Sequence, residues 1–319
     1  MYKLIAIAFF VHCVVFAQFS PAVGEMGCKA LHMDSHLFSN WAERGEVVRG
    51  WMNISDTTLG KASFGVVEDA YGLPNPAVVS LGDGGFATFY FELPVIDGAG
   101  YDFAVFENAF DDYFLELAFV EVSSDGRNFV RFQPHSLTET QSQLGPFDLI
   151  NTEKIHNLAG KYRGQWGTPF DLNELNGSPD LDLDAIHYIR IVDVVGSIDT
   201  LYASFDLEGR MINDPWPTPF EQGGFDLDAI GVIHQKSLSV DEHENVLIYP
   251  NPVSIGSHLR FASSYPIENI KLIDAIGRVR RIDYSSEIDL LKYIKHAGLY
   301  VLEYEILGEK KQHKLIVKE

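Results

Sequence analysis

The chain has 319 residues, of which 46% are hydrophobic, 22% charged and 13% aromatic, and its formal net charge is -21. This is the composition of an ordinary globular protein, which excludes a collagen, a coiled coil or a wholly disordered chain. Because so acidic a protein is repelled by phosphate backbones and anionic lipids, the charge argues against nucleic acid or an anionic membrane as partner.

The first seventeen residues have the pattern of a secretory signal peptide. Lys3 supplies a positive charge, residues 4–16 are largely apolar, and Ala17 ends a small-residue cleavage motif before Gln18. The apolar run is short for a membrane span, and no later run is long enough for a transmembrane segment. Cleavage leaves Cys28 as the sole cysteine, which excludes an intramolecular disulfide. The sequence therefore predicts a secreted protein that is stabilised by its core or by metal ions.

Residues 18–236 are expected to form one acidic β-domain. Seven segments are rich in Val, Ile, Phe and Tyr and end at Gly, Asp, Asn or Pro turns, whereas helical periodicity is nearly absent. The predicted strands are residues 77–81, 86–93, 101–106, 115–123, 130–132, 186–194 and 229–234. Asp125-Gly126 predicts a tight hairpin turn. Short strands without alternating helices predict an all-β fold, a jelly-roll-like antiparallel β-sandwich.

Residues 237–245 are predicted to form a polar linker, and residues 246–319 are predicted to form a second, small β-sandwich. Tyr249-Pro-Asn-Pro252 opens this tail, residues 270–277 run from a strand into Asp, small residues and Gly, and Gly298-Leu-Tyr-Val301 precedes a basic end. In order and spacing these motifs resemble the type A C-terminal sorting domain of type IX secretion. The resemblance implies export through the outer membrane of a Gram-negative bacterium by the type IX secretion machinery. It also implies removal of the tail, followed by release or attachment at the cell surface.

The acidic side chains are concentrated before residue 237, where 33 acidic residues outnumber 13 basic ones. The sequence Asp-Leu-Asp-Ala-Ile occurs twice there, so that Asp182 and Asp184, and likewise Asp226 and Asp228, would share one side of an extended chain. Adjacent carboxylates repel each other unless a cation or hydrogen-bond donors lie between them. Two alternatives stay open. The four aspartates are calcium ligands, or they accept turn hydrogen bonds and face solvent.

Two further carboxylates, Glu107 and Glu116, lie in otherwise apolar predicted strands. Because a buried carboxylate is costly unless it is paired, we expect them to meet a cation or one of Arg127, Arg131 and Arg190. They could also serve as the acid and nucleophile of a glycosidase, so a carbohydrate-active hydrolase is the alternative enzyme hypothesis. The chain has no Gly-x-Ser-x-Gly, His-Glu-x-x-His or phosphate-loop motif, which argues against covalent or zinc hydrolysis.

Aromatic residues stand beside carboxylates in two Gly- or Pro-rich segments, 161–171 and 214–220, which are predicted to be loops. Planar rings in loops suit stacking on a flat or ring-shaped ligand, although rings at such positions can also cap the core. The predicted ligand-binding residues are Tyr162, Trp166, Trp216 and Phe220.

Residues 120–132 combine a strand, a Ser-Ser-Asp-Gly turn and Phe129, and residues 188–193 read Tyr-Ile-Arg-Ile-Val-Asp. This combination of motifs resembles the discoidin or galactose-binding-like jelly roll, although the family's terminal cysteine pair is missing. A wider pattern is formed by residues 80–85, 103–108 and 223–230. It is similar to a group of uncharacterised secreted bacterial surface proteins, some of which appear beside outer-membrane cobalamin receptors. Taken together, the paired aspartates, the missing catalytic motifs and these resemblances predict a non-catalytic, calcium-stabilised surface module that binds a glycan. The alternative is an accessory protein that captures a nutrient such as cobalamin for an outer-membrane transporter.

Overall fold

The structure is a computed structural model that describes residues 19–236, 246–263, 265–283, 287–306 and 308–319. The predicted signal peptide and the predicted linker, residues 237–245, lie outside the described residues. The chain divides into two compact units, the first ending at residue 237 and the second spanning residues 238–319. The described part of the chain contains strands and short 3-10 helices but no α-helix, in agreement with the predicted all-β class.

The first unit is built from short strands joined by long loops. Its strands are β1 (Leu31–His32), β2 (Asn40–Trp41), β3 (Gly45–Val48), β4 (Val79–Ser80), β5 (Phe86–Val95), β6 (Phe103–Glu107), β7 (Ala118–Ser123), β8 (Val130–Arg131), β9 (His135–Ser136), β10 (Ile155–His156), β11 (Trp166–Phe170), β12 (Ile186–Asp193) and β13 (Asp226–Val232). Its 3-10 helices are Thr57–Leu59, Val67–Ala70, Thr152–Lys154 and Leu172–Leu175.

Two antiparallel sheets form the sandwich of the first unit. One has the strand order β1-β11-β6-β13-β2, with β4 also pairing with β13, and the other has the order β3-β5-β12-β7-β8. Strands β9 and β10 pair separately. The central strands β6 and β13 are adjacent although 118 residues lie between Glu107, the last residue of β6, and Asp226, the first residue of β13. The centre of this sheet is therefore formed by long-range pairing.

The core of the first unit lies between the two sheets. Phe89 and Ile189 from one sheet and Phe103, Phe170 and Leu227 from the other are buried in the same hydrophobic cluster. The rings of Phe103 and Phe170 stack with their centroids 5.3 Å apart. Side chains of this size contribute about 1.5–3 kcal/mol each when they leave water, which stabilises the packing of sheet on sheet. The predicted β-sandwich is therefore confirmed.

One predicted loop is a strand. Segment 161–171 was expected to be a loop because it contains Gly and Pro, but Trp166–Phe170 forms β11 between β1 and β6. Strand β1 pairs only with Trp166 and Gly167, so β11 is an edge strand at Pro169. A residue without a backbone N–H is tolerated at such a position. Trp166 therefore belongs to the sheet rather than to a loop.

The second unit has its own two sheets and its own core. Its strands are β14 (Leu247–Tyr249), β15 (Val253–Ser254), β16 (His258–Ala262), β17 (Ile267–Asp274), β18 (Val279–Arg281), β19 (Glu287–Asp289), β20 (Gly298–Ile306) and β21 (Glu309–Lys318), with a 3-10 helix at Leu290–Lys292. The sheet orders are β14-β16-β19 and β15-β21-β20-β17-β18, in which β15 and β21 are parallel. Leu259, Leu272, Leu302 and Leu315 lie in the core.

Candidate functional site

A cavity of about 280 Å³ lies at the end of the first sandwich where β6 ends and β13 begins. Glu107 is the last residue of β6 and pairs with Leu227, so it comes next to Asp226, the first residue of β13. Glu107, Glu116 and Asp226 form the floor, and five phenylalanines contributed by the surrounding loops form the rim. We call this site the Phe-rimmed cavity. Its rim residues are Phe64, Phe110, Phe114, Phe147 and Phe220.

Two floor carboxylates are held by strand ends. Glu107 is only 2% exposed, and one of its oxygens accepts a hydrogen bond from the backbone N–H of Ala109 at 2.9 Å. Burial raises the pKa of Glu107 well above its usual range, and the charge of Asp226 raises it further. The hydroxyl of Ser80 donates a hydrogen bond to Asp226. Burial raises the pKa of Asp226 to about 6.

The third floor carboxylate, Glu116, is positioned by a close backbone contact. Ala118 and Ala159 exchange two backbone hydrogen bonds of 3.2 and 2.8 Å, and Gly160 then passes against the Glu116 carbonyl. Gly160 has φ +77°, and a Cβ there would lie 1.7 Å from that carbonyl oxygen, so only glycine fits. No described residue donates a hydrogen bond to the Glu116 carboxylate. Burial, followed by the charges of Asp226 and Glu107, raises its pKa well above the usual range.

Further buried aspartates lie close to the floor. Asp193 accepts backbone hydrogen bonds from Gly84 and Phe225, and burial together with the charge of Asp83 raises its pKa to about 8. Asp214 is 4% exposed, and its Oδ1 is buried without a hydrogen-bond partner among the described residues. Burial raises the pKa of Asp214 well above its usual value. The carboxylates of this end of the sandwich are therefore costly to ionise together.

Basic side chains do little to offset the cost of ionising these carboxylates. Arg49 is the basic side chain whose charge acts on Asp226, and its guanidinium donates to the backbone carbonyls of Phe64, Gly65 and Ser80. No Lys, Arg or His within the described ranges lines the Phe-rimmed cavity.

The prediction that Glu107 and Glu116 pair with an arginine is wrong, because Arg131 and Arg190 pair with Glu121 instead. The pairing of β8 and β12 with β7 puts Arg131 and Arg190 opposite Glu121, and their nitrogens lie 2.7 and 3.8 Å from its carboxylate. Glu121 rather than a floor carboxylate therefore forms the ion pairs of this sheet.

Four of the five rim phenylalanines form a row of neighbouring aromatic rings. Ring centroids are 6.1 Å apart for Phe110 and Phe114, 6.2 Å for Phe114 and Phe147, and 6.4 Å for Phe147 and Phe220. Phe110 is 88% exposed and Phe147 is 71% exposed. Contiguous exposed apolar surface of this kind is typical of binding sites.

Of the four predicted ligand-binding aromatics, only Phe220 lines the Phe-rimmed cavity. Tyr162 is buried, and its hydroxyl lies 2.7 Å from that of Ser20. Trp166 is half-buried on β11, edge-on to His32 at 4.8 Å. Trp216 is half-buried, and its indole N–H donates to Asp83 at 3.0 Å. The structure does not bring these four rings into one site.

Sequence reasoning missed four of the five rim residues, namely Phe110, Phe114, Phe147 and Phe64. A signal was present for the first two, since they flank the turn-forming pair Asp111-Asp112, where an apolar ring has no strand to bury it. The carboxylate of Asp111 accepts the backbone N–H groups of Tyr113 and Phe114, which fixes that turn.

The two Asp-Leu-Asp-Ala-Ile segments lie at opposite ends of the sandwich. Asp182 and Asp184 are exposed in a turn, where the Asp184 N–H donates to the Asp182 side chain at 3.1 Å, so the expected extended backbone is wrong for this pair. Asp226 and Asp228 are buried at the start of β13. Asp228 accepts the backbone N–H of Asn75 at 2.9 Å, and burial raises its pKa to about 6.

Three other aspartates could hold a metal ion. Asp97, Asp102 and Asp171 each offer an oxygen, and these oxygens lie within 4.8 Å of one another. Asp102 is fully buried and accepts hydrogen bonds from His234 at 2.8 Å and from the Leu172 N–H at 2.7 Å. One oxygen of Asp97 is buried without a hydrogen-bond partner in the described structure. Asp97 and Asp102 precede β6, and Asp171 follows β11, whose last residue pairs with the first residue of β6. This Asp97 triad therefore lies at the end opposite the Phe-rimmed cavity, and sequence reasoning did not identify it.

Comparisons with known proteins give no family. No protein-family model matches the chain, and none of the curated proteins is significantly similar to it. The BSP domain of a biofilm-associated protein is a weak structural match, with 9% sequence identity and a TM-score of 0.17 over 88% of this chain and 52% of that one. The chain thus spans about half the length of that structure. A match at this level supports no inference about function.

Across the described ranges, none of the helices has the length and apolar character needed to cross a membrane.

Proposed function

We propose that the first unit is a non-catalytic binding module, displayed at the surface of a Gram-negative bacterium, whose ligand is a glycan held in the Phe-rimmed cavity. The observation that carries this proposal is the row of exposed phenylalanine rings above buried carboxylates. The apolar face of a sugar ring stacks on an aromatic ring, and carboxylate oxygens accept hydrogen bonds from sugar hydroxyls. The cavity volume of about 280 Å³ is close to the lower end of small-molecule sites, ~300–1,000 Å³.

Calcium at the Asp97 triad is part of this proposal. The three oxygens within 4.8 Å of one another and the unpartnered buried oxygen of Asp97 support a hard cation there. A bound cation stabilises the folded state by mass action, about 2.7 kcal/mol at a hundredfold excess over its dissociation constant. Calcium should therefore raise the melting temperature of the wild type but not that of an Asp97→Asn variant, and an equal response of both would contradict the site.

A carbohydrate-active hydrolase is the second candidate, and one observation favours it. Glu107 and Glu116 line the same cavity, and burial raises the pKa of both, as a general acid requires. Turnover of a bound glycan, lost in Glu107→Gln, would favour the hydrolase. Tight binding without products favours the binding module.

The binding proposal is tested by comparing two exposed apolar residues. Phe147 lies on the rim, whereas Leu201 is 75% exposed and does not line the cavity. We expect Phe147→Ser to weaken binding of glycan-array hits by about 1–3 kcal/mol, since it removes a stacking partner. The melting temperature should hardly change, because the ring is already exposed. Leu201→Ser should bind as the wild type does.

Unaltered affinity in Phe147→Ser would contradict the glycan site. Binding of cobalamin in the same panel, with no glycan bound, would favour the alternative of nutrient capture for an outer-membrane transporter.

A further inference from the structure

We propose that the ligand of the Phe-rimmed cavity carries a protonated amine, so that among glycans the module selects amino sugars with a free amino group. This inference rests on the proposed function and names the ligand class of the same cavity.

The floor brings three carboxyl groups together, and the described lining of the cavity supplies no basic side chain to offset their charge when they ionise. Glu107, Glu116 and Asp226 converge there, and the cavity lining contains no basic residue in the described part of the chain. The Glu116 carboxylate also receives no hydrogen bond from a described residue. Carboxylates that lie close together in a partly buried site attract a cation. A cationic ligand would therefore bind here in preference to a neutral or anionic one.

The chemistry of the rim favours an organic cation. Ammonium groups are attracted to the faces of aromatic rings within about 6 Å of the ring centroid. The row from Phe110 to Phe220 offers four adjacent rings above the carboxylates. A sugar ring can stack on one phenylalanine while its ammonium group lies against another ring and a floor carboxylate.

A bare metal ion fits this floor less well. Calcium requires six to eight oxygens about 2.3–2.6 Å from one point. Within the described residues, the Asp97 triad is the group that brings three acidic oxygens within 4.8 Å of one another, and the floor carboxylates do not reach this spacing. An ammonium group needs only one carboxylate acceptor together with aromatic faces, so the wider spacing of the floor does not exclude it.

The experiment compares three disaccharides that share one β-1,4-linked backbone and differ at carbon 2. Cellobiose has a hydroxyl there, the N-acetylglucosamine dimer an acetamide, and the glucosamine dimer an ammonium group. Calorimetric titration of the mature full-length protein at neutral pH should show the glucosamine dimer binding at least tenfold more tightly than the other two. Equal affinity for all three would overturn the amine inference and leave the glycan proposal standing. No binding of any of the three, with no array hit, would overturn both.

Two variants with the same Glu→Gln substitution separate binding in the cavity from general attraction to an acidic protein. Glu116→Gln alters the floor, whereas Glu92→Gln alters an exposed residue of β5 that does not line the cavity. We expect Glu116→Gln to reduce the preference for the glucosamine dimer to less than threefold and Glu92→Gln to retain it. An equal loss in both variants would overturn the inference.

A calcium-binding measurement and a second variant complete the test. Binding of calcium that disappears in Glu116→Gln and excludes the glucosamine dimer would assign the floor to a metal ion and overturn the inference. Phe147→Ser, whose ring is exposed, should lower affinity for the glucosamine dimer without changing the melting temperature. It keeps the inference testable if Glu116→Gln does not fold.

Discussion

Buried aspartates in the first unit hold their protons more tightly in the folded than in the unfolded chain. Burial raises the pKa of Asp193 to about 8 and those of Asp226 and Asp228 to about 6. The contribution of such groups to stability is complete below the unfolded pKa and is lost as pH rises through the folded pKa. Asp125 has the opposite effect on the pH dependence of stability, because hydrogen bonds from the backbone N–H groups of Asn128 and Arg127 lower its pKa to about 2.

Asp228 offers a clean test of this behaviour. In Asp228→Asn the amide oxygen can still accept the Asn75 N–H, but the ionisable group is gone. A change in pKa from 3.8 to about 6 corresponds to about 3 kcal/mol. We expect the variant to be more stable than the wild type at pH 8 by up to about this amount, and nearly equal to it at pH 4. Urea unfolding at both pH values, with a chelator present, measures the difference.

Asp182→Asn is the matched control, because Asp182 is exposed in a turn. It should change stability little at either pH. The burial argument would be wrong if Asp228→Asn changed the free energy of unfolding equally at pH 4 and pH 8.

At the scale of elements, the sequence predicts strands better than it predicts which strands meet. The seven predicted strands of the first unit are all found, because runs of Val, Ile, Phe and Tyr between turn residues are a local signal. The β7–β8 hairpin follows from the Asp125-Gly126 turn for the same reason. Six of the strands described for the first unit were not predicted. Strands β1, β2, β3, β9 and β10 are only two to four residues long, and β11 contains Gly and Pro residues that are tolerated by its place at the sheet edge.

The repeated Asp-Leu-Asp-Ala-Ile segment shows the limit of local sequence. Its first copy forms a turn, and the hydroxyl of Ser124 accepts the Asp182 N–H at 3.0 Å. Its second copy lies inside β13, where β4 and β6 bury it. The five residues are identical, so tertiary contacts and not propensity decide between turn and strand.

The candidate cavity could be predicted only in part. Glu107, Glu116, Asp226 and Phe220 were singled out from the sequence, but as members of three separate groups. The pairing of β6 with β13 brings Glu107 to Asp226, and the contact of Gly160 with the Glu116 backbone fixes the third carboxylate. These contacts join residues far apart in the chain, and no local pattern encodes them.

At the scale of the whole molecule, charge and architecture divide at the same place. The acidic excess lies before residue 237, whereas residues 237–319 hold 12 acidic and 11 basic side chains. The second unit has its own sheets and core, as expected of a part with a separate task. The sorting-domain resemblance of residues 246–319 remains a prediction.

Deletion of residues 246–319 tests the export proposal. We expect the shortened protein to fold, since the first unit has its own core, and to stay in the periplasm instead of reaching the cell surface. Cell fractionation and protease accessibility of intact cells measure its location. Normal surface delivery of the shortened chain would show that the tail is not an export signal.

The most direct test of the binding site is a crystal structure of the mature protein with the glucosamine dimer. We predict sugar density in the Phe-rimmed cavity, with a ring stacked on Phe110, Phe147 or Phe220. An amino nitrogen should lie about 2.7–3.2 Å from a floor carboxylate. Sugar bound instead beside Trp166 or Trp216, with the Phe-rimmed cavity empty, would contradict the account.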